Sequence, residues 1–122
     1  MSVIETMIPS LAGKLDGMAM NVPVRDGSIA DLVTLMSRDV AVEEINAIVQ
    51  SAAASQFRAI IEYTEEPLVS SDVIGNPHSG IFDALSTQVV GGNLVKTLTW
   101  YDNGWGYANR VVELIGRMAQ MA

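Results

Sequence analysis

The sequence predicts an α+β fold in which a mainly antiparallel mixed sheet is combined with two long helices. Several segments alternate apolar and polar residues with the period of two that is typical of β-strands. Two other segments repeat apolar residues at helical spacing, and the glycine turns at Asp26-Gly27 and Gly91-Gly92 are typical of hairpins. With 122 residues, the chain is expected to form a single domain over residues 1–122.

Two consecutive strands are predicted on either side of the first turn. Residues 17–24 alternate, with four apolar side chains on one face: Met18, Met20, Val22 and Val24. Residues 28–37 are apolar on both faces, with Ile29, Val33 and Leu35 on one and Ala30, Leu32 and Met36 on the other. A strand of the second kind is expected to be covered on both faces, by helices or by another subunit.

The remaining elements are predicted from the same two periods and from breaker residues. A helical turn at residues 1–8 ends before Pro9, and helices run from about Val42 and from about Trp105 to Met121. Further strands are predicted at residues 57–64, 68–74, 81–86, 87–90 and 93–101.

Composition excludes several classes of function. The net charge is −7 without any basic cluster, so a nucleic-acid partner is not expected. No apolar run approaches the roughly 20 residues of a membrane span, and residues 1–9 lack a basic stretch typical of a secretory signal. The cytoplasm is therefore the expected location. Charged residues are only 17% of the chain, which favours one face being covered by another molecule.

Reactive and metal-binding side chains are scarce. The chain has no cysteine, which excludes disulfides, thiolate metal sites and thiol nucleophiles. No cluster of histidine and acidic residues has metal-ligand spacing, so no metal site is predicted. His78 is the one histidine, and a structural contact within its loop is favoured over a catalytic role.

Five segments in register carry a resemblance to a known family. Residues 101–110 read YDNGWGYANR, and this segment resembles the YDNEWGYSNR signature of glyceraldehyde-3-phosphate dehydrogenases. Residues 13–19 with 22–23, 62–71, 72–84 and 91–96 match the same family in order and spacing. The resemblance covers nearly the whole chain, as the C-terminal part of the catalytic domain.

The resemblance implies both a fold and an assembly. It implies a truncated catalytic domain, whose mainly antiparallel mixed sheet has helices packed on one face. The other face of the family's sheet packs against another subunit of a tetramer, so a homo-oligomer is expected. The family's nucleotide-binding domain is absent from the resemblance, and a separate chain supplying it is a possible partner.

The resemblance also implies cofactor and substrate positions. Asn103 matches the asparagine that hydrogen-bonds the nicotinamide carboxamide of NAD, and Tyr107 matches the tyrosine beside the nicotinamide ring. Asn21 stands where the family has an arginine for the substrate phosphate, and asparagine offers neither the charge nor the planar fork of arginine. Gly104 replaces a glutamate of the signature and adds backbone freedom.

What is missing limits the expected activity. The family oxidises an aldehyde through a cysteine thiolate assisted by a histidine, and this chain has no thiol. It also has no GxGxxG nucleotide-binding segment. No catalytic residue is therefore assigned, and no cofactor is expected to bind the chain alone.

Three hypotheses follow. The first is a non-catalytic fragment that acts through oligomerisation. The second is one part of a split or truncated NAD-dependent glyceraldehyde-3-phosphate dehydrogenase that another chain completes. The third is an expressed piece of a longer gene, whose function is that of the parent protein.

Overall fold

In the computed structural model, which describes residues 2–121, the chain folds into a four-stranded mixed sheet and three helices. The helices are α1 (Ser2–Met7), α2 (Val42–Ala54) and α3 (Asn103–Met121), and short 3-10 turns lie at Pro9–Leu11 and Ser70–Val73. The strands are β1 (Ser28–Leu35), β2 (Ile61–Thr64), β3 (Gly80–Val90) and β4 (Leu94–Tyr101).

The strand order is β1-β4-β3-β2, with antiparallel pairs β1/β4 and β4/β3 and one parallel pair, β3/β2. The β3–β4 hairpin turns at Gly91 and Gly92, whose φ angles of 59° and 87° are in the region that glycine favours. The α+β class and the mainly antiparallel mixed sheet are thereby confirmed.

Helix α2 lies against the sheet, as its apolar period predicts. Asn46 of α2 donates to the carbonyl of Ala84 (3.1 Å) and accepts from the hydroxyl of Thr87 (2.7 Å), both in β3. In the sheet, the Phe82 ring of β3 stacks on the ring of Tyr63 in β2, with centroids 6.0 Å apart. Within residues 2–121 the buried apolar core is small and consists of Val73, Ile81, Phe82, Ala84 and Val95.

The predicted strand at residues 17–24 is wrong. The structure has irregular backbone there, and the alternating apolar side chains are exposed, Met18 by 83%. An alternating pattern forms a strand only where a neighbouring strand satisfies its backbone groups. No strand pairs with this segment within residues 2–121.

The strands predicted at residues 57–64 and 68–74 were partly and wholly wrong, respectively, because local turns form there in place of strand pairing. Of residues 57–64 only the last four form β2, since the amide of Phe57 still donates to Ala52 as α2 ends. Residues 68–74 form a 3-10 turn instead of a strand. There the Asp72 carboxylate accepts the Val69 amide at 2.8 Å, which closes the turn on itself.

The two short strands predicted at 81–86 and 87–90 are one strand, β3, interrupted by a bulge. Buried Asp83 accepts the amides of Leu85 (3.1 Å) and Ser86 (3.2 Å) and the Ser86 hydroxyl (2.8 Å). The pairing with β4 shifts register between Asp83 and Gln88. The carboxylate therefore stabilises the bulge within a continuous strand.

The helix predictions are confirmed with small shifts at their ends. Helix α1 covers Ser2–Met7, and Met1 lies outside the described residues. Helix α2 begins at Val42 as predicted, with Glu43 and Glu44 in its first turn, where the helix dipole favours acids. Helix α3 begins at Asn103, two residues before the predicted Trp105.

Much apolar surface is exposed. The chain presents 8904 Å² to solvent, whereas a folded monomer of 13.1 kDa presents about 6,400 Å². Strand β1 lies at a sheet edge, and its apolar side chains are exposed on both faces: Ile29 40%, Leu32 54%, Val33 55% and Leu35 76%. The larger apolar side chains of α3 from Val111 onward are exposed by 36% to 87%.

Two glycines of α3 predict opposite effects of the same substitution. A Cβ at Gly116 meets no atom within 4 Å, whereas a Cβ at Gly106 falls 2.8 Å from the carbonyl oxygen of His78. We expect Gly116→Ala to stabilise α3 by about 1 kcal/mol, because alanine is the better helix former. Gly106→Ala is expected to destabilise the contact with the 78–79 loop. Far-UV circular dichroism during urea unfolding measures both, and equal shifts would contradict this packing.

Candidate functional site

The site is built around the N-terminus of α3, where the side chain of Asp102 caps the helix. Its Oδ1 accepts the amide of Trp105 at 2.7 Å, and its backbone carbonyl accepts the amide of Gly106 at 3.0 Å. The Oδ2 atom accepts the amide of Gly75 at 2.8 Å, 27 residues earlier in the chain. One carboxylate, 5% exposed, therefore joins the end of β4, the start of α3 and the loop before β3.

These hydrogen bonds favour the ionised form of Asp102. The amide of Trp105, followed by that of Gly75, lowers the pKa of the carboxyl below its ordinary value, against the opposing effect of burial. The carboxylate is thus charged at neutral pH, where it also stabilises the positive end of the helix dipole.

Two further contacts hold the first two turns of α3, one with the 78–79 loop and one with the carbonyl of Ala59 before β2. The backbone at Gly106 lies so close to the carbonyl of His78 that a larger residue does not fit there. Arg110 donates to the carbonyl of Ala59 at 3.0 Å and to the Glu113 carboxylate at 2.6 Å. Its Nε is buried and has no hydrogen-bond partner within the part of the chain that the structure describes.

Asn103 and Tyr107 lie one helical turn apart and line a single surface cavity of about 260 Å³. Tyr107 is 73% exposed, so its ring is free to contact another molecule. The cavity is completed by Ser79, Tyr101, Asp102, Gly106 and Arg110. The structure therefore brings together the two residues that the resemblance assigns to the nicotinamide.

His78 is engaged within its own loop. Its Nδ1 lies 2.9 Å from Oδ1 of Asn76 and 3.1 Å from Oε2 of Glu62. Asn76 in turn donates to the Glu62 carboxylate at 2.8 Å and accepts the His78 amide at 2.9 Å. This arrangement is that of the structural loop contact favoured on sequence grounds.

Asn21 is not part of this cavity. It lies exposed in the irregular segment before β1, and it is not among the residues lining the space beside Asn103 and Tyr107. Among residues 2–121, no group of three or more histidine, aspartate or glutamate side chains is arranged to hold a metal ion. Within the same residues, no helix is long and apolar enough to cross a membrane.

Comparison with known proteins agrees with the motif and the fold. Residues 2–103 match the family model described as glyceraldehyde 3-phosphate dehydrogenase, C-terminal domain. The chain belongs to this family. The match ends at Asn103, so Tyr107 and most of α3 lie beyond the matched residues.

Individual relatives extend the similarity over most of the chain. Glyceraldehyde-3-phosphate dehydrogenase 2 of Streptomyces avermitilis is 49% identical over 108 residues, which are 88% of this chain and 32% of the relative. The enzymes of that family name from Mycobacterium leprae and Geobacillus stearothermophilus are each 47% identical, over 93% and 95% of this chain. These alignments span 33% and 35% of the two relatives. The chain thus spans about a third of the length of the curated relatives it matches.

Some members of the cavity were not singled out by sequence reasoning. Tyr101, Asp102 and Arg110 all lie within the tail signature at residues 101–110, which was a usable signal. Ser79 comes from a segment more than twenty residues earlier and reaches the cavity only through the contacts of its loop with α3. The motif therefore indicates the helix, and the tertiary contacts supply the rest of the site.

Asp102 predicts a specific loss of stability in acid. A carboxyl whose pKa is lowered in the folded state contributes stability above its unfolded pKa of about 3.9 and loses it as the pH falls through the folded pKa. Asp102→Asn is therefore expected to lower the urea midpoint at pH 7 and to reduce the loss between pH 5 and pH 2.

The control for this measurement is Asp16→Asn, which changes an exposed carboxylate that accepts the neighbouring Gly17 amide and no other group among residues 2–121. We expect it to leave both the midpoint and its pH dependence close to those of the parent chain. If the two variants have the same urea midpoint and the same pH dependence, the hydrogen bonds that Asp102 accepts from Gly75 and Trp105 do not stabilise the fold as described.

Proposed function

We propose that this chain is a part of a glyceraldehyde-3-phosphate dehydrogenase catalytic domain that is non-catalytic alone and acts by associating with other chains. The observation that carries the proposal is the exposed surface, about 2,500 Å² more than expected for a monomer of this mass. A standard protein interface buries about 1,200–2,000 Å² summed over both partners, or about 800 Å² on each, so the excess on this chain is roughly three times what one such interface covers.

The chemistry of the chain supports the non-catalytic half of the proposal. The relatives are named as dehydrogenases, and an aldehyde is oxidised in this family by way of a thiolate that these 122 residues do not contain. The side chain of Asn103 can hydrogen-bond the carboxamide of a nicotinamide, and the ring of Tyr107 can pack beside the nicotinamide ring. A lone half-site of this size offers too little contact area to retain a dinucleotide.

A second candidate is that the chain completes a split or truncated NAD-dependent enzyme together with another polypeptide. The observation in its favour is that Asn103 and Tyr107 lie side by side and accessible, next to the exposed apolar side chains of α3. NAD, when bound in such an assembly, would supply the hydride acceptor. The residues of this chain would orient it, with the Asn103 amide facing the carboxamide. The cytoplasmic location expected from the sequence belongs to the same proposal.

We expect no dehydrogenase activity and no NAD affinity in the micromolar range from the isolated chain. Isothermal titration with NAD and an assay with glyceraldehyde 3-phosphate test both expectations. The assay is then repeated after mixing with the N-terminal two-thirds of the Geobacillus stearothermophilus relative. No recovery supports the first candidate, and recovery that Asn103→Ala abolishes supports the second. Activity of the isolated chain would overturn both.

Asn21 provides a separate test of how much of a substrate site remains. Asn21→Arg restores the charge that the family uses for phosphate, but residue 21 lies exposed in an irregular segment, where solvent screens a single cation. We therefore expect only a weak gain in sulfate or phosphate affinity, of about tenfold or less. Chemical-shift titration measures it, and a tight anion site in this variant would show a more complete pocket.

A further inference from the structure

Asn103 is followed by Gly104, and this pair sets it apart from the other asparagines of the chain. The others are followed by valine, alanine, proline, leucine and arginine, in the order Asn21, Asn46, Asn76, Asn93 and Asn109. Glycine has no Cβ and leaves the backbone around its amide freer than any other residue does. The amide nitrogen of residue 104 can therefore approach the side-chain carbonyl carbon of Asn103 with the least steric hindrance.

The side chain of Asn103 is also free to move. Hydrogen bonds within the chain hold the side chains of four asparagines in place: Asn46, Asn76, Asn93 and Asn109. Within residues 2–121, the side chains of Asn103 and Asn21 donate and accept no hydrogen bond, and both residues are exposed. Asn21 precedes the β-branched Val22, which hinders approach to its amide. It therefore serves as an internal reference for Asn103.

The backbone of Gly104 is only weakly held in the helix. It lies in the first turn of α3, where amides have no carbonyl partner within the helix. Its amide hydrogen-bonds the Asp102 carboxylate, with a smaller effect on the pKa of that carboxyl than the amides of Trp105 and Gly75. Both Gly104 and Gly106 lie in this turn, and each weakens a helix relative to alanine. Because helix ends fray, the turn is expected to open more readily than the rest of α3.

The packing does not require glycine at position 104. A Cβ added there lies 3.6 Å from the Asp102 Oδ1 atom, which is an ordinary van der Waals contact. At Gly106, by contrast, the added Cβ falls 2.8 Å from the carbonyl oxygen of His78. A substitution at residue 104 therefore changes the chemistry of the Asn103–Gly104 pair without disturbing the contacts of α3.

We propose that Asn103 is a site of spontaneous deamidation, with the backbone nitrogen of Gly104 as the nucleophile. Asparagine is among the thermolabile residues of proteins. When the first turn of α3 opens, the nitrogen attacks Cγ of Asn103. The new N–Cγ bond forms, the bond from Cγ to Nδ2 breaks, and ammonia leaves with the proton of the Gly104 amide. Water then adds across either of the two C–N bonds that link the carbonyls of the cyclic imide to its nitrogen, which gives isoaspartate or aspartate at position 103.

The product differs from Asn103 in charge and in backbone length. The new carboxylate removes the Nδ2 donor from the cavity shared with Tyr107 and places a second negative charge next to Asp102. Isoaspartate adds one methylene to the main chain, so the cap in which Asp102 accepts the Trp105 amide at 2.7 Å is lost. The inference goes beyond the proposed function, because the reaction needs only water and no partner chain.

Peptide mapping by mass spectrometry measures the reaction in the folded parent chain. During incubation at mildly alkaline pH, where the attacking nitrogen loses its proton more readily, Asn103 is expected to convert at least about tenfold faster than Asn21. Conversion is followed by the mass gained when NH2 is replaced by OH. Asp16 and Asp26 also precede glycines, and any isomerisation there leaves the mass unchanged.

Two glycine variants separate the reacting pair from the stability of α3. Gly104→Ala adds a methyl group next to the attacking nitrogen and is expected to slow conversion at Asn103 by at least about tenfold. The matched control Gly116→Ala makes the same change in the same helix, where the added Cβ meets no atom within 4 Å. It is expected to leave the rate at Asn103 close to that of the parent chain. Circular dichroism checks that both variants are folded.

Three results would overturn the proposal. Equal rates at Asn103 and Asn21 would show that the pair is not a preferred site. Conversion at Asn103 in concentrated urea but not in the folded chain would show that the first turn of α3 does not open. An equal effect of the two alanine variants would contradict the role of Gly104. None of these measurements involves NAD or another chain, so their failure is distinct from a failure of the proposed function.

Discussion

The carboxylate of Asp102 accepts amides from two segments that are far apart in sequence, Trp105 in α3 and Gly75 in the loop before β3. Because the side chain is buried and charged, each hydrogen bond it accepts also offsets its own desolvation. These two hydrogen bonds fix the direction in which α3 leaves the sheet. They also fix the position of Asn103, the next residue, beside Ser79 and Tyr107.

In contrast to the buried Asp102 at the start of α3, the rest of that helix and strand β1 leave their apolar side chains exposed. The core of five buried apolar residues is small for the 120 residues that the structure describes, and the surface is correspondingly large. The proposed association would therefore also stabilise the fold, because the uncovered side chains that weaken the isolated fold gain most from a partner.

The candidate site was predictable in part. The tail signature identified Asn103 and Tyr107, and their spacing of four residues already places them on one side of a helix. The loop residues that complete the cavity were not predictable, because their approach depends on Gly106 fitting against the carbonyl of His78. The distance from Asn21 to this site is likewise a tertiary property, since residue 21 lies in a segment without regular structure.

Features that depend on local interactions were predictable from the amino-acid sequence: α2 from its apolar period, the hairpin turn from Gly91-Gly92, the family from its motifs, and the lack of a thiol. Which predicted strands form depends instead on contacts between distant segments. Residues 17–24 and 28–35 were both predicted as strands from their apolar residues, yet only the second segment forms a strand, because β4 supplies its hydrogen-bond partners. A helix forms its backbone hydrogen bonds within itself, whereas a strand needs a neighbouring strand, which can come from any part of the chain.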